Sequence, residues 1–599
     1  MLSKYKYILK SFFHYLKANL LVAAGVAIST TVLTGSLIIG DSVRYSLEQT
    51  TFFRLGETTH LATAKERYFR QELAREISFD NPSIKATPML LLEGVAVARG
   101  GQQRANRVQV AGVENTFDFI AKDTIYAGLN ANEIYISRNL SERLNVAEGD
   151  NILVRIRKAS LIPLNAPFVS AEETSVSMRD IIKKILTKEE LGRFSLKNSQ
   201  TAPYNIFLSI QRLNDIMELE GKANNLLIYS DLGNNEIRNS VNNCLTPADA
   251  GLEVNYIEAT EEVEISTHRI FMDQKVSEIL FQLPESKPLI TYFVNGIGII
   301  REDHVLNRLS DKRIHAVSDP EAEENYKEVP YSFVSSLNMN YLNDGEIILT
   351  QWAADDLNAI PGDSVRLKYF EIGPLRKLAE KESWFILKDI VPMNEKWADS
   401  TLMPWLPGLS DAGHCREWDA GVPINMDAIR DTDEDYWNEW KGAPKAYISL
   451  NEAHKLWKNR FGVYTAFRYP VKSFDKKAFN NAFDRNITHE DIGMAVEPLR
   501  EQGLQAARNG TDFSMLFLGL SFFILAASVI LTALLFRLNL ETRSSEIGIL
   551  TALGFRNRQI GWIFILEGFV IALSGAFLGL ILSILYTYGV FKILNTLWF

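Results

Sequence analysis

Residues 18–40 read ANLLVAAGVAISTTVLTGSLIIG, an apolar run without a charged side chain. Roughly 20 such residues carry an α-helix across the hydrocarbon of a bilayer. Two further stretches match it. Residues 513–536 read FSMLFLGLSFFILAASVILTALLF, and residues 560–590 are broken only by Glu567. Residues 41–512, between the first and second runs, have the composition of a soluble protein. The expected fold class is a membrane α-helical bundle of three spans that carries one large mixed α+β domain.

Basic residues set the orientation. Residues 1–17 hold Lys4, Lys6, Lys10 and Lys17 and no acid. The 537–559 loop holds Arg537, Arg543, Arg556 and Arg558 against Glu541 and Glu546, while Asp41 and Asp512 flank the opposite side. By the positive-inside rule, 1–17 and 537–559 are cytoplasmic, and 41–512 is extracytoplasmic. A cleaved signal peptide is the weaker reading of 18–40. The run exceeds the usual 7–15 apolar residues of such a peptide, and no A-x-A site follows it.

A chain of 599 residues exceeds one core and predicts several domains. The formal charge of -10 argues against nucleic acid as a partner. Cys244 and Cys415 both fall in the outer domain. They are either one disulfide or a pair of buried thiols.

The outer domain contains an internal repeat. Glu133-Ile-Tyr-Ile-Ser137 leads through Leu144-Asn145 to Gly149-Asp150 and Ile152–Ile156. Glu346-Ile-Ile-Leu-Thr350 leads through Leu357-Asn358 to Gly362-Asp363 and Val365–Tyr369, at a constant offset of 213. Each copy reads as strand, amphipathic helix, Gly-Asp turn and strand. Lys445–Leu450 looks like a third start. Residues 159–200 read as a polar insertion with helical character over Met178–Leu191. After the first span, 41–55 continues without Gly or Pro as a helical stalk. Glu490–Arg508 reads as the returning stalk, with Pro498 in it and Asn509-Gly510 ending it. Eight of the ten tryptophans fall within 352–457. Packing in the core is the favoured reading of that belt, and a lipid or sugar pocket the other.

Catalytic and metal motifs are missing. The chain has no G-x-x-x-x-G-K-[ST], H-E-x-x-H, C-x-x-C or G-x-S-x-G, and its histidines show no ligand spacing. Asp431-Thr-Asp433-Glu-Asp435 starts like a calcium loop. Tyr436 and Gly442 then occupy the positions that need glycine and glutamate, so an exposed acidic turn is expected. No cofactor and no metal are expected.

The informative chemistry lies near the C-terminus. Ile547, Leu550 and Leu553 give a short helix an oily face, with Arg543 and Glu546 in its first turns and Gly554 at its C-cap. Such a helix either lies on lipid or docks a cytoplasmic partner. Gly575 and Gly579 form a small-xxx-small face for close helix packing. Glu567 either snorkels to the interface or bonds a neighbouring helix.

Glu546–Phe555, Ile563–Gly568, Gly575 and Gly579 together resemble the signature of FtsX/MacB-like ABC transporter permeases. Gly40–Arg44 with Arg54-Leu55-Gly56, Met403-Pro404 through Pro407-Gly408 to Cys415 and Trp418, and Pro444–Ala446 are similar to the long-permease branch. The resemblance implies a non-catalytic subunit of the bacterial inner membrane, driven by a separate cytoplasmic ABC ATPase and paired with a second permease copy or half. Motion would pass through the stalks to the outer domain, for export, lipoprotein transfer or cell-envelope control. Membrane lipid and a periplasmic or outer-membrane protein or lipoprotein are the other implied partners. The segment around Arg543, Glu546, Ile547, Gly548, Leu550, Leu553 and Gly554 would meet the ATPase. Such permeases carry a fourth span, so a chain ending at Phe599 is expected to be a fragment or the first half of a longer permease. The alternative is a membrane-anchored extracytoplasmic sensor or binding protein without a motor. A membrane enzyme centred on the tryptophan belt has no acid/base or metal pattern behind it.

Overall fold

A computed structural model describes residues 10–65, 67–158, 175–199, 201–300, 327–337, 342–372, 378–394, 396–419, 421–509 and 513–597. Lys4, Lys6 and Gly510–Asp512 lie outside these residues. The chain divides into two compact units, Met1–Arg54 with Arg500–Phe599, and Leu55–Leu499.

The first unit is helical. Its long helices are Leu16–Leu55, Phe513–Thr542 and Asn557–Leu597, with the short helices Leu499–Asn509 and Ser544–Ala552. All three long helices are long and apolar enough to cross a membrane. The first has 40 residues, which is ~60 Å at 1.5 Å per residue, about twice the hydrocarbon thickness. It therefore emerges from any bilayer it crosses. Phe523, Ile530, Phe569, Phe577 and Ile584 are exposed, as lipid-facing side chains are.

The second unit is built on two six-stranded barrels of the same strand order. The first runs Lys85–Ala98, Gln103–Val113, Tyr204–Ser209, Glu133–Ser137, Ser175–Leu186, Asn151–Arg157, and closes back onto Lys85–Ala98. The second runs Thr291–Ile300, Glu328–Leu337, Ala446–Ser449, Glu346–Thr350, Leu378–Val391, Ser364–Ile372, and closes likewise. Alternation drives the strands. In Asn151–Arg157 the apolar Ile152, Val154 and Ile156 are buried, and Asn151, Arg155 and Arg157 are exposed.

The repeat extends to fine detail. A register shift falls between Ile134 and Tyr135 in one barrel, and between Ile347 and Ile348 in the other. Both copies place Asn145 or Asn358, and then Gly149 or Gly362, at positive φ, where those residue types carry little strain. The Gly149 N–H donates to Ile182 O at 2.7 Å, and the Gly362 N–H to Leu387 O at 2.7 Å.

Four local expectations change. Ser175–Leu186 is a strand, not a helix: Met178, Asp180 and Ile182 are buried while Arg179, Ile181 and Lys183 are exposed, a period of two. Ala446–Ser449 starts no third unit. It fills in the second barrel the place of Tyr204–Ser209 in the first, and each is followed by a helix, Ile210–Met217 or Leu450–Trp457. The returning stalk is helical only over Leu499–Asn509, because Ala495–Glu497 pairs as a strand with Leu61–Thr63. Asp431–Asp435 is no exposed turn. It opens the helix Asp431–Trp440, with Asp433 buried and accepting the Arg430 backbone N–H at 3.1 Å.

A four-stranded sheet, in the order Leu252–Ile257, Glu262–Thr267, Ala466–Pro470, Lys287–Leu289, completes the second unit. Of the tryptophan belt, Trp397, Trp418, Trp437 and Trp457 are buried, whereas Trp384 and Trp405 are half exposed.

Candidate functional site

The cytoplasmic loop of the sequence reading folds around one side chain. Arg543 separates the helices Phe513–Thr542 and Ser544–Ala552 with φ -104°. Its guanidinium is 2% exposed. Nη1 donates to Glu567 Oε2 at 2.9 Å, Nε to Glu546 Oε2 at 2.8 Å, and Nη2 to Ser11 Oγ. Ser11 Oγ in turn donates to Glu567 Oε1 at 3.0 Å. Tyr15 and Phe564 lie 4.3 and 4.8 Å from the guanidinium carbon. An arginine has five donors and no neutral state in proteins, so burial demands this degree of pairing. The N-terminal segment, the short helix and the third long helix are thereby tied at one point. Of the two readings of Glu567, the structure shows the bond to neighbouring elements.

The short helix ends in a Schellman motif. Gly554 has φ +88°, its N–H donates to Thr551 O at 3.0 Å, and the Phe555 N–H donates to Leu550 O at 3.2 Å. Leu550 packs with Ile560 and Phe564, and Ile547 and Phe555 lie against them. Leu553 is not part of that face. It follows the last helical residue and is 70% exposed. The side open to solvent comprises Ser545, Gly548, Ile549, Ala552 and Leu553. The seven residues singled out at this segment thus divide. Arg543, Glu546, Ile547 and Leu550 turn inward, and Gly548, Leu553 and Gly554 stay outside. Spacing alone did not reveal that division, because two of the three partners of Arg543 lie far off, at residues 11 and 567.

The spans pack through small residues. A methyl group added at Gly575 would fall 2.5 Å from Ala23 O, and one at Gly579 would fall 2.6 Å from Thr30 Cβ. On the other side of the first helix, Ser29 Oγ donates to Ser528 Oγ at 2.6 Å and Asn539 Nδ2 to Asn19 Oδ1 at 2.8 Å. Leu16–Leu55 therefore contacts both other long helices. Near its far end, Arg508 Nε pairs with Glu48 at 3.0 Å, and a Cβ at Gly503 would meet Thr51 at 2.7 Å.

In the second unit, the conspicuous buried charge is Lys445. Its ammonium lies 3.4 Å from Asp433 Oδ1, and 4.2 and 4.6 Å from the ring centroids of Trp352 and Tyr436. Burial pushes it down to about 8 against the attraction of Asp433. Asp433 is shared with Arg430. Asp433, Tyr436 and Lys445 line a cavity of about 20 Å³, room for little more than a water molecule. Among the described residues no cluster of His, Cys, Asp or Glu is placed to hold a metal. Cys244 and Cys415 are free thiols.

The family model of the FtsX-like permease C-terminal domain matches residues 518–598. That match agrees with the resemblance read from Glu546–Phe555 onward. No curated protein matches the chain. Among solved structures, the periplasmic region of MacB from Actinobacillus actinomycetemcomitans is matched over 31% of this chain and 82% of that one, at 9% identity and a TM-score of 0.19. A score that low does not establish a shared fold.

Proposed function

We propose that the chain is an FtsX-like permease, the membrane subunit of an ABC transporter, and that it relays the stroke of a separate cytoplasmic ATPase to an extracytoplasmic domain. One observation carries the reading: within the matched segment, a short helix shows solvent an apolar, small-residue side while a buried arginine fastens its other side to two further helices. Nothing inside the described protein covers Gly548, Ile549 and Leu553. A push on that side reaches Glu567 in the third long helix and Ser11 beside the first through the buried hydrogen bonds of Arg543. The first helix, continuous over Leu16–Leu55, carries the motion outward, and Leu499–Asn509 moves with it. Under this reading the protein is multi-pass in the bacterial inner membrane. It works with a second permease copy or half and performs no chemistry of its own. Export, lipoprotein transfer and control of the cell envelope all fit such a lever.

The test is reconstitution with the ATPase that co-purifies. A side chain at Gly548 would meet no atom within 4 Å, so Gly548→Trp leaves the fold intact and adds bulk only where the ATPase docks. ATP hydrolysis in the complex should fall at least about tenfold, a barrier of about 1.4 kcal/mol. Unchanged coupling with this variant would refute the docking surface.

A further inference from the structure

A cleft of about 500 Å³ opens within the second unit, between the four-stranded sheet and the loop around residues 400–412. That volume falls in the range of about 300–1,000 Å³ typical of small-molecule sites. Its floor is polar. Glu253 faces Ser266, and Asn255 faces Glu264, across the strands Leu252–Ile257 and Glu262–Thr267, so alternation brings these side chains to one face. Asn255 is exposed and makes no side-chain hydrogen bond among the described residues. The wall is aromatic. Trp405 lines the cleft with half its surface exposed.

The wall is also fixed. Leu406 and Leu409, next to Trp405, are buried at 1% and 0% exposure. Arg468 clamps floor to wall: its Nε donates to Glu264 at 2.8 Å, Nη1 to Asp399 at 2.6 Å, and Nη2 to Thr401 at 2.7 Å. A loop anchored this firmly can bury large apolar side chains, and it buries Leu406 and Leu409. Trp405 instead keeps half its indole open toward the cleft, a flat apolar face beside a polar floor.

We propose that this cleft binds a short neutral oligosaccharide. The chemistry of the lining selects that class. Flat indole surface suits the C–H face of a pyranose ring, and indole combines apolar area with low conformational freedom. Carboxylate and amide side by side on the floor offer paired acceptors and donors, which vicinal hydroxyls satisfy. An anionic phosphate ligand would meet Glu253 and Glu264, with Lys441 and His268 as the basic side chains of the lining and His268 already bonded to Glu253 at 2.6 Å. An acyl chain would leave the polar floor unpaired.

The full chain in lauryl dimethylamine oxide, a detergent without sugar, is titrated with maltotriose, chitotriose and trialanine. Binding is read by saturation-transfer NMR and calorimetry. At least one of the two saccharides binds, and Trp405→Ala and Asn255→Ala each weaken that saccharide by roughly tenfold or more. Trp384→Ala, an equally exposed tryptophan that does not line the cleft, leaves the affinity unchanged. The proposal is overturned if neither saccharide binds. It also fails if Trp405→Ala and Asn255→Ala bind saccharide as well as the parent, or if trialanine binds as well as saccharide and loses affinity with Trp405→Ala.

Discussion

Arg543 and Glu567, 24 positions apart, meet at 2.9 Å with both side chains 2% exposed. Removing one partner leaves an uncompensated buried charge, which costs about 3–5 kcal/mol. Glu567→Ala and Arg543→Ala should each lower the thermal unfolding midpoint markedly in lipid nanodiscs. The pair Arg543→Met with Glu567→Met should lose less than the sum of the singles, since no lone charge remains. Additive losses would show that the two side chains do not act as a pair.

The close approach of the first and third long helices makes a second expectation. A Cβ at Gly579 already meets Ala27 O at 2.7 Å. Gly579→Leu should therefore destabilise by about 1–3 kcal/mol through overpacking. Gly561→Ala, where a Cβ meets nothing within 4 Å, serves as the control and should be near neutral. Nanodisc thermal denaturation separates the two, and equal midpoints would contradict the packing.

Lys445 makes stability depend on pH with a definite sign. Burial pushes the folded group down to about 8 from 10.5. Between those values the unfolded chain holds the proton more fully than the folded one. Stability therefore rises with pH across that window, by up to about 1.4 kcal/mol per pH unit. Below pH 8 the penalty of the buried charge is at its full size. Chemical denaturation at pH 7.5 and 9.5 should shift the difference between parent and Lys445→Met toward the parent at the higher pH. A difference independent of pH would contradict the assignment.

The thiols give a fourth check. Burial, with Glu434 beside it, pushes Cys415 up to about 12, and burial near Asp80 pushes Cys244 up to about 11. The thiolate is the reactive form. Maleimide at pH 8 should spare Cys415 in the folded protein and label both cysteines after unfolding without reductant. Rapid labelling of folded Cys415, or a need for reductant, would overturn the free, buried thiol.

The apolar runs were legible because a bilayer demands length and uniform hydropathy, and both are local properties. Glu133–Ile156 and Glu346–Tyr369 were legible because a repeated turn needs Asn and Gly at positive φ in the same places. Closure of either barrel was not, since it depends on pairing Lys85–Ala98 with Asn151–Arg157 across some 60 residues. Ser175–Leu186 reads as a helix because its exposed positions carry Arg179 and Lys183, a composition that suits a helix surface as well as a strand face. At the Arg543–Gly554 segment, the charged residues were visible as candidates. Which of them faced inward was not, because Ser11, Tyr15 and Glu567 decide it from distant positions. The open indole of Trp405 was hidden among seven other tryptophans of the belt.

Cysteine cross-linking to the co-expressed ATPase tests the docking side most directly. Ile549 is 62% exposed and its neighbour Leu550 is 8% exposed. Ile549→Cys and Leu553→Cys should cross-link to the ATPase on the cytoplasmic side, and Leu550→Cys should not. Failure of both exposed positions to cross-link, or labelling of Ile549→Cys from the extracytoplasmic side, would contradict the account.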